Sequence, residues 1–269
     1  MTALLLLLTL GATLTLLTLA LLRPYLPRRQ NFAARNLPTS AGLSFLPIIL
    51  TMLAAHFAGW AGPGEAGVWY LVYSLVAGGI GFADDGWGRA GERGFAGHLR
   101  ALWGGRVTTG LAKALVLGGG ALLFGAGAFG VGWPALFAGF LLAGCANLAN
   151  LLDVRPGRAL KFVGVPVVGL LFLAPSGAVL AVAGVVGGAA ALFYFDVRGR
   201  IMLGDAGAAI WGAVLGYLVV TSGPGVVWWV AGGAVLGLTL VAEFSSISRV
   251  IEEVGALRRL DLWGRGGDE

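Results

Sequence analysis

From Trp133 to Asp153 the chain reads WPALFAGFLLAGCANLANLLD, with no charged residue before the final aspartate. The hydrocarbon core of a bilayer takes about 20 mostly apolar residues as helix, and a helix apolar all round is not the surface helix of a soluble domain. The stretch therefore predicts a transmembrane helix ending on a carboxylate. Working outward, eight more segments share its character, at about 2–22, 41–60, 66–83, 111–130, 160–174, 178–195, 206–222 and 225–243. The predicted fold class is an all-α membrane protein, a polytopic transmembrane helix bundle of about nine spans. Only 12% of the residues are charged, where a soluble domain carries roughly 25%, and the mean hydropathy is +0.87. No separate soluble domain is expected.

The basic residues orient the bundle. All 18 fall in alternate connections: Arg23, Arg28, Arg29 and Arg35 in the first; Arg89, Arg93, Arg100, Arg106 and Lys113 in the third; Arg155, Arg158 and Lys161 in the fifth; Arg198 and Arg200 in the seventh; and Arg249, Arg258, Arg259 and Arg265 in the tail. The other connections hold one charge, Glu65. The positive-inside rule makes the basic segments cytoplasmic, with the amino terminus outside and the carboxyl terminus inside. The expected location is the inner (plasma) membrane, multi-pass. A net charge of +5 dispersed over loop arginines is a topology and anionic-lipid signature rather than a nucleic-acid footprint. The first apolar stretch has no basic residue before it and no small-residue cleavage site after it, so it reads as a retained helix. Cys145 is alone, which excludes an internal disulfide. Many of the 47 glycines fall inside the spans, where small residues let helices pack closely in lipid.

Chemistry gathers at the basic ends of the spans. Ionisable groups at membrane depth are costly and usually functional. Asp84 and Asp85 close the third span side by side; neighbouring carboxylates either share a proton or gather a cation, and the plain alternative is a solvated helix stop. Asn147, Asn150 and Asp153 recur every third residue, leaving a polar stripe along one helix face; interhelical hydrogen bonding explains the asparagines more easily than the aspartate. Asp205 sits in Gly204-Asp205-Ala206-Gly207, where flanking glycines admit a ligand close to the backbone and a hard oxygen donor suits Mg²⁺; a simple helix cap is the alternative. Thr108-Thr109-Gly110 opens the fourth span, and a helix amino terminus with free N–H groups and hydroxyls is a phosphate site. Lys113 lies in the first turn of that helix, where the dipole disfavours a cation, so an anion should compensate it. His98 stands in the loop between these clusters as a ligand contact or a structural histidine. Asp196, beside Arg198 and Arg200, reads as a local salt-bridge partner.

Taken in order, Asp84-Asp85, Thr108-Thr109-Gly110 with Lys113, Asn147-x-x-Asn150-Leu-x-Asp153 and Gly204-Asp205-x-Gly207 resemble the polyprenyl-phosphate N-acetylhexosamine-1-phosphate transferases, the family of the phospho-N-acetylmuramoyl-pentapeptide transferase. Asn36-Leu-Pro38-Thr39-Ser-Ala-Gly42 also looks like that family's turn before its second span. The resemblance runs from about residue 36 to 216. It implies Mg²⁺-dependent transfer of a sugar 1-phosphate from a UDP-sugar to a polyprenyl phosphate, with release of UMP, for cell-envelope polysaccharide synthesis. On that resemblance Asp84, Asp85 and Asp153 are catalytic and Asp205 is a Mg²⁺ ligand. Lys113, Thr108, Thr109, Asn147, Asn150, His98, Arg158 and Lys161 are counted as substrate-binding. Joining two anions needs a cation to neutralise them and groups to align the attacking oxygen. The expected partners are the lipid, the UDP-sugar and the membrane, with no nucleic acid, and a homodimer is the assembly considered.

Two features depart from the family pattern. The asparagine motif continues Asp153-Val-Arg-Pro-Gly-Arg158 where the family usually has Asp-Gly-Leu-Asp-Gly, and no histidine follows His98 where the family's last cytoplasmic loop commonly has several. A catalytically silent relative that binds lipid phosphate and serves as a scaffold is the alternative. A transporter fits less well, because the polar residues stay at one face and do not reach the midplane. The bundle is expected to occupy 1–243 and a cytoplasmic amphipathic tail 244–269. In the tail Ile247, Val250, Ile251, Val254, Leu257 and Leu260 form a helical stripe over 245–263. Such a helix either lies flat in the interface, bringing Arg249 or Arg258 to a diphosphate, or docks on a partner or on the chain's own loops.

Overall fold

A computed structural model describes residues 1–60, 62–88 and 108–265, together with Gly97, Trp103 and Gly105. The fold is all-α, 77% helical, with one small β-ribbon. Along the described chain come α1 (Thr2–Leu22), β1 (Arg28–Gln30), β2 (Asn36–Pro38), a 3-10 turn (Ala41–Phe45), α2 (Leu46–Phe57), α3 (Gly64–Trp87), α4 (Thr109–Phe129), α5 (Trp133–Leu152), α6 (Arg158–Leu171), α7 (Ser176–Asp196), α8 (Gly204–Thr221), α9 (Val226–Phe244), α10 (Ile247–Glu253) and α11 (Gly255–Leu262). Strands β1 and β2 pair antiparallel, Arg29 opposite Leu37.

Seven of these helices, α1, α3, α4, α5, α7, α8 and α9, are long and apolar enough to cross a membrane. The chain thus has the helices of a multi-pass membrane protein. Two of the nine expected segments form shorter helices than the other seven. Segment 41–60 folds as the 3-10 turn and a 12-residue α2 with Pro47 in its first turn. Segment 160–174 contributes to α6, which has 14 residues and carries Pro166 inside it. Apolar composition therefore overstated the length of regular helix in both segments.

Helix α8 is the axis of the bundle. It is buried over 83% of its apolar window, against 22% for α1 and α4 and 17% for α9, and it packs on α3, α5, α6 and α7. Lipid offers little hydrophobic force between helices, so close van der Waals contact through small residues takes its place. A methyl group added to Gly42 would lie 1.9 Å from Gly207 Cα, and one on Gly81 2.6 Å from the backbone of Ala206. These two crossings press the 3-10 turn and the end of α3 against the start of α8. At the opposite end Trp133 stacks on Phe137 at 5.1 Å and on Trp229 at 6.1 Å, an arrangement suited to a membrane–water boundary.

Candidate functional site

The site is built where α3 and α5 end and α4 and α8 begin. Arg29, carried on β1, terminates α3. Its Nε donates to the Asp85 carbonyl at 2.8 Å, and one Nη donates to the carbonyls of Asp84 and Gly88 at 3.3 and 2.8 Å. A guanidinium at a helix carboxyl end satisfies orphan carbonyls and opposes the dipole. The last turn of α3 is thereby fixed, and with it the two aspartates.

Those aspartates face different partners. Asp84 lies 3.6 Å from Lys113 Nζ, and Lys113 lies 2.7 Å from Asp205 Oδ2. The side chains of Thr109 and Asp205 lie beside Asp84. The anions that compensate the lysine in the first turn of α4 are thus Asp205 and Asp84. The neighbouring Thr108 caps α4, its hydroxyl accepting from Leu111 N–H at 3.1 Å. Asp85 instead is buried and turned to the head of α8. Its carboxylate accepts from Ser40 Oγ at 2.6 Å and from the backbone N–H groups of Asp205 and Ala206 at 3.1 and 3.3 Å. It acts as an amino-terminal cap supplied by another helix. Gly204 permits the approach: its φ is +75°, and a Cβ there would fall 2.4 Å from Ser40 N and 2.6 Å from Asp85 Oδ2.

Asp85, Asp153, Asp196 and Asp205 line one cavity of about 430 Å³, closed on another side by Arg29, Phe32 and Leu37 of the ribbon and by Arg155 and Pro156. Arg155 stands over the Phe32 ring with its Cζ 5.0 Å from the centroid. Asp153 follows the end of α5. Burial, reinforced by the charges of Asp196, Asp205 and Asp85, pushes its carboxyl well above the ordinary aspartate value. Asp196 is the residue that sequence reasoning misassigned. Its carboxylate accepts from Gly157 N–H at 2.9 Å and from Leu203 N–H at 3.2 Å, joining the loop after α5 to the loop before α8. Its signal in the sequence was its place: it ends a span at the basic face, as Asp84, Asp85 and Asp153 do.

Other expected site residues lie elsewhere. Asn150 Oδ1 is buried without a protein partner and Asn147 is exposed on α5; the cavity wall takes Asp153 but neither asparagine. His98 lies outside the described residues. Arg158 and Lys161, expected at substrate, are engaged by the tail. Arg158 is fully buried and forks onto Asp261, Nε to Oδ1 and Nη2 to Oδ2 at 2.8 Å each, while Nη1 donates to Ser248 Oγ at 2.6 Å. Lys161 Nζ donates to the carbonyls of Asp261 and Trp263. Burial opposes the charge on Asp261, yet its hydrogen bonds to Arg158 and the charges of Arg158, Arg265 and Lys161 outweigh burial and hold its carboxyl below the ordinary value. The tail is therefore docked on the chain's own α6 and its preceding loop. Its expected single helix is two, α10 and α11, because Val254 is extended at φ −91°, ψ 108° and Gly255 follows. Arg249 and Arg258 are exposed.

Among the described residues no three His, Cys, Asp or Glu side chains converge on a point that could hold a metal. A Mg²⁺ site does not require that, since the ion is usually held by one or two carboxylates plus substrate phosphates and water. Asp84 and Asp205, close enough to share one ammonium, are a donor set of that kind. A scan of family models and a search of curated proteins return no match to this chain.

Proposed function

We propose that this chain is a divergent polyprenyl-phosphate N-acetylhexosamine-1-phosphate transferase, moving a sugar 1-phosphate from a UDP-sugar to a polyprenyl phosphate. In this reading it works at the cytoplasmic face of the inner membrane and crosses nine times, α2 and α6 included, with the amino terminus outside. The observation that supports it is the meeting of Asp84, Lys113 and Asp205, from three helices, beside a cavity walled by Asp153.

A phosphate oxygen of the lipid attacks the β-phosphorus of the UDP-sugar; the bond from that phosphorus to the bridging oxygen breaks, and UMP leaves with the electron pair. A Mg²⁺ ion on Asp84 and Asp205 would supply charge neutralisation to the diphosphate. Lys113, a compact charge on a flexible stem, turns from the carboxylates to a phosphate oxygen. Asp153, whose burial raises its affinity for a proton, acts in its ionised form and takes the proton of the attacking phosphate. Asp85 holds the Gly204-Asp205 turn in register through the α8 amides.

The test is exchange of labelled UMP into a UDP-sugar pool by the purified full chain, expected only with both Mg²⁺ and polyprenyl phosphate. Asp205→Asn should lower it by about 100-fold or more, the loss typical of one preorganised electrostatic partner. The second reading, a silent scaffold, draws on the engagement of Arg158 and Lys161 by the tail. Lipid-phosphate binding without turnover across a panel of UDP-sugars would replace the first reading with it.

A further inference from the structure

The residue that the proposed reaction uses as a base, Asp153, stands on a weakly self-supporting segment. Five residues, Asp153 to Gly157, join α5 to α6, and their backbone bonds are short-range: Val154 N–H to the Leu152 carbonyl at 2.8 Å and Arg158 N–H to the Arg155 carbonyl at 3.1 Å. Such a connection takes its shape from what surrounds it. On the inner side Asp196 holds Gly157 N–H. On the outer side Arg155 rests on the Phe32 ring, and the hydrogen bonds and ion pairs come from the tail, about a hundred residues later. Arg265 Nε donates to the Pro156 carbonyl at 3.3 Å, Arg155 pairs with Glu252 at 2.7 Å, and Arg158, the first residue of α6, forks onto Asp261. Asp261 also takes Arg265 Nη2 at 2.6 Å. One carboxylate thus ties α6 and the tail's own end together, with the Asp153 loop pinned between them. Trp263 reinforces the seat by stacking on Phe193 of α7 at 5.8 Å.

We infer that the tail is a strap across the Asp153 loop and that Asp261, acting through Arg158 and Arg265, is a positioning residue for Asp153. The strap is a matter of geometry; its catalytic consequence rests on the transferase reading above. A displacement of about 1 Å at a reacting group can cost about 100-fold in rate, so a loop held by contacts at this range is a point of control.

The experiment is amide hydrogen exchange on the detergent-solubilised full chain, followed in peptides covering 150–160 and, as reference, 178–190 of α7. Asp261→Ala and Asp261→Asn should speed exchange over 153–157 about tenfold or more, leave the α7 peptide unchanged, and be largely reversed by Asp261→Glu, which keeps the carboxylate. In the UMP-exchange assay the same variants should lose kcat by about 10- to 100-fold with KM for the UDP-sugar within twofold. A merely stabilising pair would lower the melting temperature and leave kcat alone. Unchanged exchange over 153–157 overturns the strap whatever the activity. Faster exchange with unchanged kcat overturns the positioning role. Faster exchange in a chain whose wild type never turns over keeps the strap and removes the transferase reading. If Asp261→Ala does not fold, Asp261→Asn, which keeps the side-chain shape, carries the same outcomes.

Discussion

Two cation–carboxylate clusters stand at one end of the bundle, and they differ in how far water reaches them. The side chains of Lys113, Asp84 and Asp205 remain 12%, 18% and 33% exposed, whereas Arg158 is 0% and Asp261 5% exposed. The residue types follow the difference. A guanidinium forks in a fixed plane and suits a permanent, dry pairing; an ammonium on a four-carbon stem can leave one anion for another. The open cluster is built to exchange partners and the sealed one to keep them. Charge alone does not distinguish them, since both join basic side chains to aspartate.

The sharpest way to break that comparison is to remove one partner of the sealed pair. Arg158→Met leaves the Asp261 carboxylate with Arg265 as its remaining ion-pair partner and should cost about 3–5 kcal/mol of unfolding free energy, while Arg158→Met with Asp261→Leu and Arg265→Met should recover most of it, because well-packed apolar side chains replace a buried ionic triad at little cost. Denaturant unfolding of the solubilised protein reads both, and a single variant as stable as wild type would show that the cluster is not sealed. A smaller effect of opposite sign is expected at the cavity. Folding raises the Asp153 carboxyl above its ordinary value of 3.8, so the native state binds the proton more tightly than the unfolded chain and loses stability as pH rises from that value through the folded one. Asp153→Asn should therefore stabilise the protein at neutral pH, within the ~0.5–3 kcal/mol of ordinary substitutions, and give no gain below pH 3.8. Thermal midpoints at the two pH values decide it; equal gains at both would mean that the carboxylate's charge is not the cause. The smallest change is Glu252→Gln, which loosens the exposed pair to Arg155 and should cost under about 0.5 kcal/mol in the same unfolding measurement.

The sequence made the open cluster legible because its parts are local signals: carboxylates, hydroxyls and a lysine placed at span ends, where lipid tolerates few ionisable groups. It also made the long spans legible, through runs without charge. It could not separate Asp84 from Asp85. Adjacent residues on an α-helix point about 100° apart, so one meets Lys113 while the other meets the head of α8, and only the packing of α3 on α8 decides which. The sealed cluster was not legible because Arg158 and Asp261 are 103 residues apart and each alone reads as a loop charge. The tail stripe was visible, but its break at Val254 was not: a regular apolar spacing continues across a residue whose backbone is extended. In the same way the 41–60 and 160–174 segments showed their hydrophobicity and concealed their shortness.

The docked carboxyl end also bears on handling the protein. An affinity handle or reporter fused after Glu269 would follow Arg265 by four residues, and Arg265, whose guanidinium is bonded to Pro156 and Asp261, would pass its pull to the segment carrying Asp153. Met1 is 99% exposed and stands a 21-residue helix away from the ribbon that borders the cavity. An amino-terminal fusion leaves the strap unloaded, and comparing the two placements is a way to apply force to this loop without altering a residue.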